Sequence, residues 1–224
     1  MENLQGKNFV LSYSGGKDSI LALHRAIKSG MIPQKLIITY NTDMDRSWFH
    51  GIPEPLLNMV SHCLHIPISI IRTSGDAYQE NFIRQLQAEK EQGAEICVFG
   101  DIDIKEHREW CSNVCQKSGL RPLFPLWQES REKLVREFIS EGYTAHITVL
   151  DTSRLSQKHL GMILAEEVLS SIEENGADIC GENGEYHTFV SNGPVFSSPV
   201  PVSFGEPQIR GNYAVLPLLP DSIA

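Results

Sequence analysis

The chain has 224 residues, which is enough for one large domain or two modest ones. With 41% hydrophobic and 21% charged residues, its composition is that of an ordinary globular protein and excludes wholesale disorder. The formal charge of −9 argues against a nucleic-acid partner, because contacts to nucleic-acid phosphates need a surplus of Lys and Arg. A small anionic ligand is still compatible with this charge, since a few local dipoles can hold one phosphate.

The first half of the chain alternates short runs of β-branched residues with longer amphipathic runs. The predicted strands are 8–12, 35–40, 66–71 and 95–99, and the predicted helices are 19–29, 54–64, 78–92 and 105–118. Strands rich in Val, Ile and Leu that alternate with helices predict an α/β fold, a parallel sheet with helices on both faces. Such a sheet binds ligands beyond the carboxyl ends of its strands.

The pattern changes at residues 121–127, which contain two prolines and large apolar residues and indicate a passage into a second unit. Beyond them, helices are predicted at 130–141 and 160–175, and strands at 143–150, 186–190, 200–205 and 213–218. This mixture predicts a smaller mixed α/β domain. We therefore expect two domains, 1–120 and 121–224.

The N-terminal segment and the cysteines bear on the compartment. Residues 1–8 are polar, unlike an export signal, and no apolar run reaches the roughly 18 to 20 residues of a membrane span. Five cysteines, an odd number, are scattered along the chain, which favours reduced thiols. We expect a cytoplasmic protein with no membrane partner.

The strongest motif is the run SGGKDS at residues 14–19, between the first predicted strand and the first predicted helix. It is not a Walker A loop, because Lys17 is followed by Asp18 rather than by Ser or Thr. Its two glycines let backbone amides approach a ligand closely, and the N-terminus of the following helix favours negative charge. The run therefore predicts a phosphate site.

Side chains in and before this run have distinct expected roles. The hydroxyl groups of Ser12, Ser14 and Ser19 can donate to phosphate oxygens, and Lys17 adds a full positive charge. Asp18 would repel phosphate directly. Two interpretations are open for it, an N-terminal helix cap and a ligand of Mg²⁺.

In this strand–turn–helix context, SGGKDS resembles the PP-loop of the ATP pyrophosphatases; the simpler alternative is a Gly-rich turn that caps a helix. The resemblance implies that the loop holds the β- and γ-phosphates of ATP, which is cleaved between its α- and β-phosphates. It implies catalytic roles for Lys17 and Ser14. The implied nucleotide-binding residues are Ser12, Ser14, Gly15, Gly16, Lys17, Asp18, Ser19, Thr39 and Gly100.

A second motif, DICGENGEYHTFV at residues 178–190, precedes and enters a predicted strand. With the first motif it resembles the diphthine–ammonia ligase family, whose C-terminal half carries a GE-x-GEYET-like string; the alternative is an ordinary Gly-rich loop. Further matching segments bring the resemblance to roughly residues 8–196. These are Trp48-Phe49-His50, residues 99–102, Arg108, residues 120–127 and His159-Leu160-Gly161.

The chain departs from the family pattern at two positions of the second motif. Asn183 stands where the family usually has Gly, and His187 where it has Glu. The chain also lacks the long extensions of eukaryotic members, so it is similar to the short prokaryotic type. The implied substrate-binding residues are His50, Glu182, Gly184, Glu185, Tyr186 and His187.

The resemblance implies an ATP-dependent amide-forming ligase, with residues 1–120 binding ATP and residues 121–224 binding the acceptor. Its substrates would be ATP, ammonium and a diphthine-bearing elongation factor, with Mg²⁺ as cofactor and Asp18 and Asp101 as candidate ligands. Asp101 also follows an apolar strand at the edge where ligands bind; a helix cap or a surface acid is the alternative. Two other functions stay open, adenylation of a small metabolite and non-catalytic regulation by an adenine nucleotide.

Overall fold

The computed structural model describes residues 4–48 and 50–221. Phe49, which the family resemblance includes, lies outside the described residues. The helices are α1 (Lys17–Lys28), α2 (Glu54–Leu64), α3 (Tyr78–Glu91), α4 (Lys105–Ser118), α5 (Arg131–Ser140) and α6 (Glu166–Glu174). The strands are β1 (Asn8–Ser12), β2 (Ile32–Asn41), β3 (Arg46–Ser47), β4 (Ile68–Thr73), β5 (Ile96–Val98), β6 (Arg121–Leu123), β7 (Thr144–Asp151), β8 (Tyr186–Asn192), β9 (Val202–Phe204), β10 (Gln208–Arg210), β11 (Tyr213–Val215) and β12 (Leu218–Pro220).

The described residues cluster into two compact units that interleave along the chain. The first contains residues 4–14, Asp18–Trp48 and Ile66–Gln128, and the second contains Gly15–Lys17 and residues 50–65 and 129–221. The division into domains 1–120 and 121–224 stays a prediction.

The first unit is built on a sheet in the order β3-β2-β1-β5-β6, with β4 also paired to β2. Its strands pair in parallel except for β3, a two-residue strand that runs antiparallel to β2. A buried apolar core joins the sheet to α3 and α4 through residues such as Val10, Phe82 and Val114. The second unit contains an antiparallel sheet in the order β10-β11-β7-β8 and a separate pair of strands, β12-β9. This confirms the predicted α/β class with a smaller C-terminal sheet region.

Two segments differ from the predicted elements. The helix predicted at 160–175 is only Glu166–Glu174, because the residues before it pair with β7 instead. The amide of Leu164 donates to the carbonyl of Ala145, and the amide of Ile147 donates to the carbonyl of Met162. The strand predicted at 213–218 is divided between β11, which pairs with β7, and β12, which pairs with β9.

The proline-containing segment after residue 120 begins with a strand of the first unit. Arg121–Leu123 is β6, which pairs in parallel with β5 at the edge of the sheet. Pro122 is tolerated there because an edge strand can lack a ladder donor on its outer side. Residues 121–123 therefore belong to the sheet of the first unit, and the predicted boundary near residue 120 stays a prediction.

None of the helices within residues 4–48 and 50–221 is long and apolar enough to cross a membrane. All five cysteines are buried and free of disulfide bonds.

Candidate active site

The turn between β1 and α1 carries the first motif, and three residues of the motif, Ser14, Asp18 and Ser19, belong to the first unit. The hydroxyl of Ser14 donates to that of Ser19 over 3.1 Å, which brings together two of the predicted phosphate-binding groups. Asp18 lies in the first turn of α1. Ser12, the last residue of β1, is half-buried directly before the turn.

Gly100, which follows β5, packs against the beginning of α1. A Cβ atom at Gly100 would lie 2.8 Å from the carbonyl carbon of Asp18 and 2.9 Å from the amide nitrogen of Ser19. Glycine therefore allows close approach of two backbones at the carboxyl end of the sheet. This supplies a packing reason for Gly100 whether or not it also contacts a nucleotide.

Thr39 and Asp101 occupy the same edge of the sheet, each with a protein partner. Thr39, buried on β2, has its hydroxyl 3.4 Å from that of Tyr78. The carboxylate of Asp101 is 3.7 Å from the thiol of Cys111 and 3.4 Å from Nδ1 of His107. Burial raises the pKa of Asp101 above its usual value, against the opposing effect of His107.

The rest of the turn, Gly15–Lys17, contacts the second motif within the second unit. The amide of Lys17 donates to the hydroxyl of Thr188 over 3.1 Å, and the carbonyl of Gly15 accepts from the amide of Val190 over 3.0 Å. Gly15 has φ +90°, a left-handed conformation that favours glycine, and a Cβ there would overlap the side chain of Ile52. Strand β8 and Ile52 thus fix the course of the turn.

The side chain of Lys17 is buried among residues of the second motif. Its Nζ atom lies 3.5 Å from a carboxylate oxygen of Glu182 and 5.6 Å from the ring centroid of Tyr186. Only 6% of the Lys17 side chain and 17% of the Glu182 side chain are exposed. The turn's cation is therefore held by an acid and an aromatic ring, in a site where electrostatic interactions are stronger than in water.

His50 lies over the turn in a defined protonation state. Its Nδ1 is 2.8 Å from the carbonyl of Thr188, which can only accept, so Nδ1 carries the proton and donates it. Burial, followed by the nearby charges of His187 and Lys17, lowers the pKa of His50 to about 3. The ring is consequently neutral near pH 7 with Nε2 unprotonated. A Cβ at Gly16 would lie 2.6 Å from its Cε1 atom.

His187, the second departure from the family pattern, is half-buried beside His50. The two ring centroids are 5.2 Å apart, with the planes inclined at 65°. The structure thus brings two predicted substrate-binding residues together.

Glu185 faces into its own loop. Its carboxylate accepts from the amide of Asn183 over 3.0 Å and from that of Asp178 over 3.4 Å. The guanidinium of Arg154 lies 3.4 Å away. Glu185 therefore acts on the conformation of the loop, while contact with a substrate stays a prediction.

Tyr186 and Gly184 also act on the conformation of this loop, and their contact with a substrate stays a prediction. The Tyr186 hydroxyl, buried, donates to the carbonyl of Ile179 over 2.7 Å. Gly184 has φ +85° and forms the turn before β8. Both residues shape the loop that carries Glu182.

Several residues of this site were not predicted from the sequence. The hydroxyl of Thr188 accepts from the amide of Lys17, and its carbonyl accepts from Nδ1 of His50. In the sequence, Thr188 is an ordinary strand residue inside the second motif. Arg131 pairs with Asp178 over 2.6 Å, and Arg154 with Glu185. Neither arginine lies in a pattern that would have identified it, since both partners are distant in sequence.

Comparison with known proteins yields two family models that match the chain. The model described as "Diphthamide synthase N-terminal domain" matches residues 6–122, and "Diphthamide synthase C-terminal domain" matches residues 130–214. The diphthine–ammonia ligase of Rattus norvegicus is 27% identical over 234 residues, which cover 92% of this chain and 86% of the relative. That of Danio rerio is 30% identical over 172 residues, 75% of this chain and 68% of the relative.

The relatives differ in length. The match to the diphthine–ammonia ligase of Saccharomyces cerevisiae, at 26% identity, covers 84% of this chain and only 33% of the relative. Long extensions are thus present in that relative, whereas the Rattus norvegicus relative is covered to 86%. Relatives of a length similar to this chain thus occur in eukaryotes, so length alone does not identify the short prokaryotic type.

Proposed function

The chain belongs to the diphthamide synthase family, and from this premise we propose that it is an ATP-dependent, AMP-forming ligase that amidates diphthine with ammonia. The acceptor would be a diphthine-bearing elongation factor, which would place the protein in the cytoplasm. Relatives named diphthine–ammonia ligase at 27% to 30% identity support this assignment.

One observation carries the proposal: the two sequence motifs contact each other through Gly15–Lys17. Lys17 belongs to the predicted phosphate turn, yet its amide bonds Thr188 and its ammonium group pairs with Glu182. The motif expected to bind nucleotide and the motif expected to bind acceptor therefore share one charged group.

The proposed chemistry has two steps. A carboxylate oxygen of the acceptor attacks the α-phosphorus of ATP, which forms an acyl-adenylate and releases pyrophosphate. Ammonia, formed when ammonium loses a proton, then attacks the acyl carbon. AMP leaves with the electrons of the broken C–O bond, and a further proton is lost to give the amide.

The turn would stabilise the departing pyrophosphate. Lys17 would supply positive charge and the hydroxyls of Ser14 and Ser19 would donate hydrogen bonds, as preorganised donors do at developing anionic oxygens. Ser12, Gly15, Gly16, Thr39 and Gly100 would complete the nucleotide site. Glu182 and Tyr186 already position Lys17, and His50 with His187 would lie on the acceptor side, for which Gly184 and Glu185 shape the loop.

Mg²⁺ fits the carboxylates of the first unit. Magnesium is commonly held by one or two carboxylates together with substrate phosphates and water, so it needs no cage of protein ligands. Asp18, at the first turn of α1, and Asp101, after β5, are the residues that would hold it. Bound with ATP, the ion would neutralise phosphate charge.

The test is direct measurement of the products. Purified protein, ATP, Mg²⁺, ammonium and diphthine-bearing elongation factor should yield AMP and pyrophosphate together with amidated factor. Omitting the factor should stop product formation. Pyrophosphate release with another carboxylate alone would indicate the small-metabolite alternative, and nucleotide binding without any turnover would indicate a regulator.

A further inference from the structure

A cavity of about 590 Å³ lies within the first unit, between α4 and the residues that follow β6. It is open to solvent, lined along α4 by the exposed side chains of Lys105, Arg108, Asn113 and Gln116 and on the other side by the half-buried Trp127. Its volume is within the range of small-molecule sites. None of these residues has a role in the proposed ligase chemistry.

Arg108 is held in this cavity by aromatic rings. Its guanidinium carbon lies 4.6 Å from the ring centroid of Trp127 and 5.5 Å from that of Phe124. Phe124 in turn stacks on Phe99, a buried core residue, at 5.4 Å. The planes of the Phe124 and Trp127 rings are inclined at 59°, and the guanidinium group of Arg108 lies over both, on a support that reaches the core.

This stacked guanidinium makes no hydrogen bond or ion pair with the protein within residues 4–48 and 50–221. Glu109 is adjacent in sequence, but neighbouring positions on a helix do not face each other. A stacked arginine uses the faces of its guanidinium plane and leaves the N–H edges available, which suits two-point recognition of a carboxylate or phosphate.

The charge and position of the cavity agree with an anionic ligand. Its charged lining residues are Lys105, Arg108 and Glu109, which leaves one positive charge in surplus on a chain whose formal charge is −9. The cavity begins at Lys105, the first residue of α4 after β5, and extends along the helix to Gln116, so that only one end of it lies near the carboxyl ends of the parallel strands β5 and β6. Ligands of parallel sheets bind at this edge.

We propose that the cavity between α4 and Trp127 is a binding site for a small organic anion, with Arg108 taking its carboxylate or phosphate group in a two-point hydrogen-bonded pair. The proposal does not depend on ligase activity. It assigns a second anion site, separate in sequence from the turn at residues 14–19.

Nuclear magnetic resonance on the isotope-labelled full chain tests this site. The chain has three tryptophans, so Trp127→Phe identifies the indole N–H signal of Trp127. Succinate serves as the carboxylate probe and inorganic phosphate as the phosphate probe. We expect a saturable shift of the Trp127 signal with at least one probe, and the probe that acts identifies the anion class.

Variants separate this site from other anion sites. Arg108→Gln should raise the probe concentration that gives half of the saturable shift by about tenfold or more, as expected for loss of charge-assisted hydrogen bonds. Arg108→Lys should also weaken binding of the probe, because Lys keeps the positive charge but lacks the planar guanidinium group that donates two parallel hydrogen bonds. Arg84→Gln, at an exposed arginine of α3, and Lys17→Ala should leave it unchanged. No saturable shift with either probe, or an equal shift in Arg108→Gln, would overturn the proposal.

Discussion

The two glycine-rich segments of this protein, residues 14–19 and residues 178–185, are held in opposite ways. The first is held from outside, by hydrogen bonds between its backbone and the Thr188 hydroxyl and Val190 amide of β8, and by packing against Ile52 and His50. The second is held largely from within, by the carboxylates of Asp178 and Glu185, which accept amides of their own loop. Acids of similar appearance in one motif therefore have different tasks, and only Glu182 turns toward Lys17.

The largest expected effect tests the externally held turn. Lys17→Ala should lower pyrophosphate release by about a hundredfold or more, because it removes a preorganised charge from the departing group. Circular dichroism and thermal unfolding should show a folded protein. Lys117→Ala, at an exposed lysine of α4, is the matched control and should retain full activity. An active Lys17→Ala enzyme would show that the turn does not serve the phosphates.

The second prediction tests the internally held loop. Glu185→Gln should lower the free energy of unfolding by about 1–3 kcal/mol, since a buried acceptor of charged and amide donors is replaced by a group that accepts at only one atom. Denaturant unfolding measures this change. Glu182→Gln is the control. Glu182→Gln keeps an oxygen that can accept from the ammonium group of Lys17, so the substitution should affect activity more than stability.

If Glu182→Gln destabilised the protein as strongly as Glu185→Gln, the division of tasks between the two acids would be wrong.

The parallel sheet could be predicted because its strands are continuous apolar runs bounded by helices with clear ends. Helix 54–64 and helix 105–118 agree with α2 and α4 residue for residue. The helix predicted at 160–175 was too long because local pattern cannot reveal that Met162 and Leu164 pair with β7. Tertiary pairing overrides helix propensity there. Short edge strands such as β6 also contain too few residues to show the alternation of apolar and polar side chains that identifies a strand.

The site could be predicted where its functional residues stand close together in a short sequence motif. Lys17 stands in such a string, and its contact with Glu182 joins the two motifs that carried the family resemblance. Sequence could not show that Glu185 faces inward, because spacing does not determine which way a loop side chain points. Nor could it identify Arg131, which acts on Asp178 from a helix 47 residues away in sequence.

The third prediction compares one glycine from each segment. Gly16→Ala should lower the free energy of unfolding by about 1–3 kcal/mol through overpacking against the His50 ring, 2.6 Å from the added Cβ. Gly184→Ala adds no contact within 4 Å, and its cost of about 1–2 kcal/mol comes from the left-handed backbone alone.

Adding His50→Ala distinguishes the two causes. It should relieve part of the cost of Gly16→Ala, a coupling of about 0.5 kcal/mol or more in a double-mutant cycle, and should be additive with Gly184→Ala. Additive behaviour in both cycles would mean that His50 does not determine the need for glycine at position 16.

The smallest expected effect is the dependence of stability on pH at His50. The pKa of His50 is lowered from 6.5 to about 3 in the folded protein, mainly by burial. As the pH falls below 6.5, the unfolded chain binds a proton at this ring and the folded protein does not, so the unfolded state is favoured. The contribution of neutral His50 is therefore fully present above pH 6.5 and declines from there toward pH 3.

One proton limits this slope to about 1.4 kcal/mol per pH unit. His50→Gln keeps a donor for the carbonyl of Thr188 but cannot titrate, so its unfolding free energy should fall less steeply than that of the unmodified protein between pH 6.5 and pH 5. Urea unfolding at several pH values measures the difference. Equal slopes in the unmodified and His50→Gln proteins would mean that His50 binds its proton in the folded protein as readily as in the unfolded chain. The conclusion that burial keeps the ring over Gly16 neutral would then be wrong.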